Sequence, residues 1–219
     1  MPSQTFFNLP QTKQKIIIEK AIAEFANHSY ESASISHIVS EAKIAKGSFY
    51  QYFEGKQDLY LYLVDLGIAQ QKSFIENANL PKIKDGFFVY LRALFQVSIH
   101  FQLTNPELAQ ILFRGPHHGD IPFREEVFRR TKTVSTTFIK QRIQEAIELN
   151  QLPKYLNPDI AAFMIITIAT EMRQFIPLHL QLKMNPLIKE GPEINVKTIE
   201  QIIDDFVKIL EQGIGGRKD

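Results

Sequence analysis

Residues 34–53, SISHIVSEAKIAKGSFYQYF, decide how this chain folds. Ser34 stands at an N-cap position, where its hydroxyl accepts from the free N–H groups of the following turn. Ile35, Ile38, Val39 and Ala42 then recur at i, i+3, i+4 and i+7, which predicts a helix of barely two turns. Past Lys43 and Ile44, residues 45–52 make another short helix, with Phe49 and the following Phe53 one turn apart on one side. Two short helices joined by a turn of about three residues meet the description of a helix-turn-helix, whose second helix enters the major groove of DNA by its N-terminal end.

Outward from that stretch, helical periodicity dominates and strand signals are scarce. Residues 12–27 contain no Pro or Gly and place Ile17, Ala21 and Phe25 at i, i+4, i+8, with Ile18 and Ile22 widening the stripe. Residues 28–33 break the pattern. Beyond Gly55 the predicted helices lengthen: 58–77, with Leu59, Leu63, Leu66 and Phe74; 85–103; then 107–113 after the Asn105-Pro106 boundary. Residues 114–120, with two Gly and one Pro, read as a loop. Residues 123–151 and 157–182 follow as amphipathic stretches, the latter with Pro177 expected to kink or end it. Residues 187–195 read as a loop, and a last helix over 196–212 stops at Gly213, Gly215 and Gly216. The expected fold class is all-α.

The spacing of Phe25, Tyr30, Ser34, Ile38-Val39, Ala42, Ala45-Lys46-Gly47-Ser48-Phe49-Tyr50, Tyr52-Phe53, Lys56 and Leu59 resembles the TetR family of bacterial transcriptional regulators. The resemblance covers roughly residues 12–62. It implies a helix-turn-helix DNA-binding domain over 1–57 and an α-helical effector-binding and dimerisation domain over 58–219. The family's phosphate-binding roles fall by position on Ser34, Ser48, Tyr50, Tyr52 and Lys56, and Lys46 and Gln51 become candidates for base edges.

Physical reasoning points the same way. Phe49 and Phe53 should bury against Ile38 and Phe25, which turns Lys46, Ser48, Tyr50 and, less firmly, Tyr52 outward. Small residues at Ala45 and Gly47 let the helix N-terminus approach a phosphate, where free N–H groups and the helix dipole favour an anion. Lys43, Lys46 and Lys56 against Glu54 alone give residues 43–56 a charge of +2. The two departures from the family concern Lys43, where relatives commonly have Gly, and arginine. A non-Gly residue at positive φ costs on the order of 1 kcal/mol. Residues 1–58 hold no Arg, so the commonest bidentate guanine reader is missing from the headpiece. Specificity is therefore expected to lean on phosphate positioning, thymine methyls and DNA shape.

Composition bounds the rest. The 219 residues carry a formal charge of only +1, so bulk electrostatics gives no reason to invoke nucleic acid. With no cysteine there is no disulfide framework, thiolate metal site or thiol nucleophile, which fits a cytoplasmic protein. The N-terminal stretch lacks the basic start and apolar core of a signal peptide. The longest apolar run, 160–170, is far short of the ~20 residues that cross a bilayer, so no membrane partner is expected.

A helix-turn-helix expected to read double-stranded DNA needs a partner copy, because symmetric pairing matches a palindromic operator. In the last helix Val196, Ile199, Ile203, Phe206 and Leu210 step by 3 and 4 while Ile202 and Ile209 extend the apolar surface to a second side. The family builds its dimer from the two C-terminal helices, here 157–182 and 196–212. The family's small-molecule pocket would lie among the middle helices, and the candidates are His100, Phe101, Phe113, Arg114, Phe138, Glu171, Arg173 and Phe175. Polar groups within apolar stretches are the pointers there, since burial demands a partner. The expected effector is small and hydrophobic or amphipathic; no cofactor is implied and no enzyme activity is expected. Two other readings stay open: an all-α dimeric interaction protein without DNA binding, and a metal-dependent hydrolase using His117, His118 and Asp120.

Overall fold

The structure is a computed structural model that describes the backbone of residues 1–117, 121–179 and 196–213. Side chains of 113–117, 173–174, 177–179 and 196 are outside the description, as are the 187–195 loop, Gly215, Gly216, His118 and Asp120. The described residues form α-helices and one 3-10 turn: α1 Gln4–Phe7, α2 Gln11–Asn27, α3 Ile35–Glu41, α4 Lys46–Tyr52, α5 Lys56–Glu76, the turn Ile83–Asp85, α6 Phe87–Thr104, α7 Pro106–His117, α8 Arg124–Glu148, α9 Pro158–His179 and α10 Val196–Gln212. The all-α class is as expected.

The chain divides into two compact units, one of Met1–Lys72 with Thr104–Lys132 and the other of Ser73–Leu103 with the described residues from Thr133 on. In the first, the expected stripe of α2 is inside: Ile17, Ala21 and Phe25 are buried together with Ile38, Val39, Phe49 and Phe53. Leu59, Tyr60 and Leu63 of α5 join them, and so do Ile111, Ile121 and Val127. Each Val, Leu, Ile or Phe among them contributes roughly 1.5–3 kcal/mol when fully buried. Tyr30 stacks on Phe25 at 6.2 Å and meets Tyr60 and Phe123 edge to face at 5.5 and 4.9 Å, so it plugs the connection between α2 and α3.

Two elements differ from those the periodicity predicts. Helix α1 was not foreseen: four residues carry too little periodicity to read, yet Phe6 is fully buried against Tyr52, Phe53 and Tyr62. Its entry is fixed by the Ser3 N–H donating to the Tyr52 carbonyl at 2.8 Å. Helix α7 runs on to His117, through the Arg114-Gly115-Pro116 start of the expected loop. Leu108, Ala109 and Ile111 are buried, and this packing holds the helix across residues whose propensity alone would end it. Gly67 on α5 serves the same contact, because a Cβ there would stand 3.0 Å from Leu112 side-chain carbons.

In the second unit Phe87, Tyr90, Leu91, Leu94 and Phe95 of α6 pack with Ile139 and Ile143 of α8, Ile165 and Ile166 of α9, and Ile199, Ile203 and Val207 of α10. Asn157, the first residue of the expected 157–182 stretch, caps α9, its Oδ1 accepting from the Asp159 and Ile160 N–H groups at 2.9 and 3.3 Å. Arg92 donates to Asp204 at 2.6 Å, tying α6 to α10, and Lys140 donates to Asp159 at 2.7 Å, tying α8 to α9.

Candidate nucleic-acid interface

The turn between α3 and α4 is built on Lys43, whose φ is +52°. Ala42 ends α3, the Lys43 N–H donates to the Ser40 carbonyl at 3.1 Å, and the Ile44 N–H reaches back to the Val39 carbonyl at 3.0 Å. That pair of bonds is a Schellman closure, which demands a left-handed residue where Lys43 stands. The turn keeps its geometry, and Lys43 bears the strain of a side chain at positive φ.

The closure aims α4. Phe49 and Phe53 face the core, their rings 5.5 Å apart, and this leaves Lys46, Gly47, Tyr50 and Gln51 exposed, with Lys43 and Ala45 exposed on the approach. Ser34, Ser48 and Lys56 are half-buried. Tyr52 does not turn outward with the set: it is 5% exposed, with its ring 6.1 Å from Phe6. The unforeseen α1 is the reason, since it covers that side of α4. Lys56 is engaged within the protein, its Nζ donating to the Glu31 and Ala33 carbonyls at 3.0 and 3.1 Å and lying 4.8 Å over the Tyr30 ring. The Lys46 Nζ donates to Ser36 Oγ at 3.1 Å and so joins the first turns of α3 and α4. A Cβ on Gly47 would meet nothing within 4 Å, so the fold itself does not require glycine there.

The N-terminus of α3 holds a cluster that the sequence reading missed. Ser34 caps as expected, its Oγ accepting from the His37 N–H at 3.3 Å. The Ser34 N–H in turn donates to Glu24 Oε1 of α2 at 2.7 Å, and His37 Nδ1 lies 2.6 Å from Glu24 Oε2. A carboxylate only accepts, so Nδ1 carries the proton. His28 Nδ1 stands 3.5 Å from the same Oε2. Glu24 is buried, which alone would raise its pKa, but the Ser34 N–H, the His37 hydrogen bond and the charge of both imidazoles outweigh burial and bring it below the ordinary value. The hydrogen bond to Glu24 and its negative charge hold His37 above the ordinary histidine value. A sequence signal existed: Glu24 interrupts the apolar stripe of α2, three residues after Ala21.

Of the effector candidates, His100 and Phe101 both meet Phe74, at 5.7 and 5.5 Å, Phe138 stands 5.9 Å from the Arg142 guanidinium, and Phe175 meets Phe206 at 5.6 Å. Reasoning from burial does not carry to His100 and Glu171, which are exposed. The side chains of Phe113, Arg114 and Arg173 lie outside the described residues. Among the described residues no three His, Asp or Glu side chains converge as a metal would need.

Comparison with known proteins adds to this geometry. Residues 17–63 match the family model described as bacterial regulatory proteins, tetR family, and residues 85–215 match that of the tetracyclin repressor-like C-terminal domain. A TetR family transcriptional regulator from Chloroflexus aurantiacus is 35% identical, with a TM-score of 0.73 over 97% of this chain and 98% of that one. FadR from Bacillus subtilis, solved in complex with stearoyl-CoA, shares the fold at 18% identity and a TM-score of 0.66, over 91% of this chain and 98% of that one. The Bacillus subtilis HTH-type regulator YuxN is 28% identical over 63% of this chain, and the match spans 45% of its length.

Proposed function

This chain belongs to the TetR family of bacterial transcriptional regulators, and on that premise we propose that it is a repressor which grips a palindromic operator as a homodimer and releases it when a small effector binds. Residues 1–57 would bind double-stranded DNA, and 58–219 would take the effector and dimerise. The observation that carries the DNA reading is α4, with Lys46, Gly47, Tyr50 and Gln51 exposed over a floor of buried Phe49 and Phe53. Lys46 and Gln51 reach base edges in this reading, Ser34, Ser48 and Tyr50 take phosphates, and Lys43, Ala45 and Gly47 form the approach. Tyr52 and Lys56 serve mainly by holding α4 and the 28–34 connection in place.

The dimer reading is supported by Ile160, Phe163 and Met164 on α9 and Ile209 on α10, all exposed in the single chain. Exposed apolar residues spaced i, i+3 and i+4 on one helix, as Ile160, Phe163 and Met164 are, mark an interaction face. No described helix is long and apolar enough to cross a membrane, in keeping with a regulator working beside DNA in the cytoplasm.

The effector in this reading is hydrophobic or amphipathic, with His100, Phe101, Phe138, Glu171 and Phe175 of the second unit as the candidates to take it. Acyl thioesters of coenzyme A are the class to try first, since they join an apolar chain to an anionic head. FadR was solved with stearoyl-CoA and AibR with isovaleryl coenzyme A and operator DNA. Residues 104–132 pack in one unit with the headpiece, which supports their role in passing effector occupancy to it.

The test is selection of binding sites from a random duplex pool, followed by affinity measurement with and without an acyl-CoA panel. Salt-sensitive binding to a palindrome, relieved by at least one thioester, is the expected result. Tyr50→Ala should weaken every selected site about equally and leave the melting temperature in place, because a phosphate contact carries no sequence information. Unchanged affinity would reverse the assigned orientation of α4.

A further inference from the structure

We propose that Glu24 is a positioning residue for DNA binding: it completes the cap of α3 from the neighbouring helix, and its pair with His37 makes operator affinity fall as the pH rises. The proposal rests on the regulator reading above.

A capping box ordinarily closes within one helix, with Ser or Thr at the N-cap and Glu or Gln three residues on returning to the N-cap N–H. Here the residue three on is His37, and the Ser34 N–H is taken by Glu24 from α2 instead. The arrangement answers two needs. An imidazolium in the first turn of a helix opposes the helix dipole and calls for a nearby anion. A carboxylate as buried as Glu24 calls for a cation and donors. Helix α3 has seven residues and cannot stand on its own hydrogen bonds, yet it carries the turn that aims α4 and the Ser36 hydroxyl that holds Lys46. What anchors its first turn therefore anchors the reading surface.

Other charges around His37 are accounted for. On α2, Lys20 is bonded to Glu41 of α3 at 3.2 Å, and His28 lies against Glu24; on α4, Lys46 is held by Ser36. Because the His37 pKa is raised on folding, the pair's contribution is complete below the ordinary histidine value and is lost as pH rises through the raised one. The Glu24 pKa is lowered, so its contribution persists down through the mildly acidic range and disappears only as pH falls through the lowered value. From pH 6 upward Glu24 stays a carboxylate while the His37 imidazolium is lost, which slackens α3 and removes a positive charge beside the phosphate backbone.

The experiment uses the full chain and a duplex it has selected from a random pool, with affinity followed by fluorescence anisotropy from pH 6 to 8.5 at fixed salt. Wild type should lose roughly fivefold more affinity over that range than His37→Asn or Glu24→Gln, the order expected when one charge interaction is lost. The two variants should share one residual slope, and the double variant should flatten it no further. His28→Asn should keep the wild-type slope. Slopes equal in wild type, His37→Asn and Glu24→Gln overturn this proposal and leave the regulator reading intact. A selection that returns no sequence at any pH overturns both. A uniform loss of affinity in Glu24→Gln with the slope retained reduces Glu24 to a structural support and also overturns it.

Discussion

Helices α3 and α4 are each seven residues long, yet their N-termini are finished in opposite ways. Helix α3 is closed from within the protein, Ser34 accepting from its first turn and Glu24 taking the N-cap N–H. Helix α4 has Ala45 at its N-cap, whose side chain caps nothing, and its first residues, Lys46 and Gly47, are exposed. Free N–H groups at a helix start must find water or an anion. The closed end fixes where the pair of helices stands; the open end keeps its donors for what lies outside.

That contrast can be broken most severely through the floor the helices share. Phe49→Ala should cost about 3–5 kcal/mol, read as a lower urea midpoint, because a fully buried ring leaves a cavity under both helices. Next in size, Glu24→Ala should cost about 2 kcal/mol at neutral pH by removing hydrogen bonds to a buried charge. The direction of the Glu24 shift sets the pH course of that loss. A carboxyl with a lowered pKa stabilises above its ordinary value, so the gap between variant and wild type should close as pH falls through the lowered one. Urea midpoints from pH 7 to 3 would reveal it, and a gap that persisted in acid would show that the charge of Glu24 does not matter. The smallest effects sharpen the comparison itself. Ser34→Ala should cost about 1 kcal/mol, whereas Ala45→Ser, which supplies the missing cap, should gain up to about that amount. Thermal melts of the two should shift in opposite directions.

The helix-turn-helix was legible because each of its parts is local. An N-cap serine, apolar residues at helical spacing and paired Phe49 and Phe53 act within a turn or two, so their order in the chain is nearly their order in space. The exposure of Lys46 and Tyr50 followed from burying Phe49 and Phe53, although Ser48, expected outward with them, is half-buried. Lys43 stood out only through the family resemblance, since relatives commonly have Gly there, and its φ of +52° shows that it bears the strain. The inward turn of Tyr52 was not legible, because it depends on Phe6, forty-six positions earlier in the sequence. Glu24 escaped notice likewise: its partners are ten and thirteen residues away, across a connection with no regular period. In the second unit the aromatic residues were visible as core material, but the sequence held no rule for telling which of them face a ligand.

By itself, then, the sequence determined the all-α class, the helix-turn-helix and its family, because local spacing and capping chemistry encode them. Only the tertiary structure decided that Tyr52 is held inside, that Lys56 spends its charge on backbone carbonyls, and that α3 is capped from α2. Those outcomes rest on which groups compete for the same buried space and the same acceptors, and such competition exists only once distant segments have met.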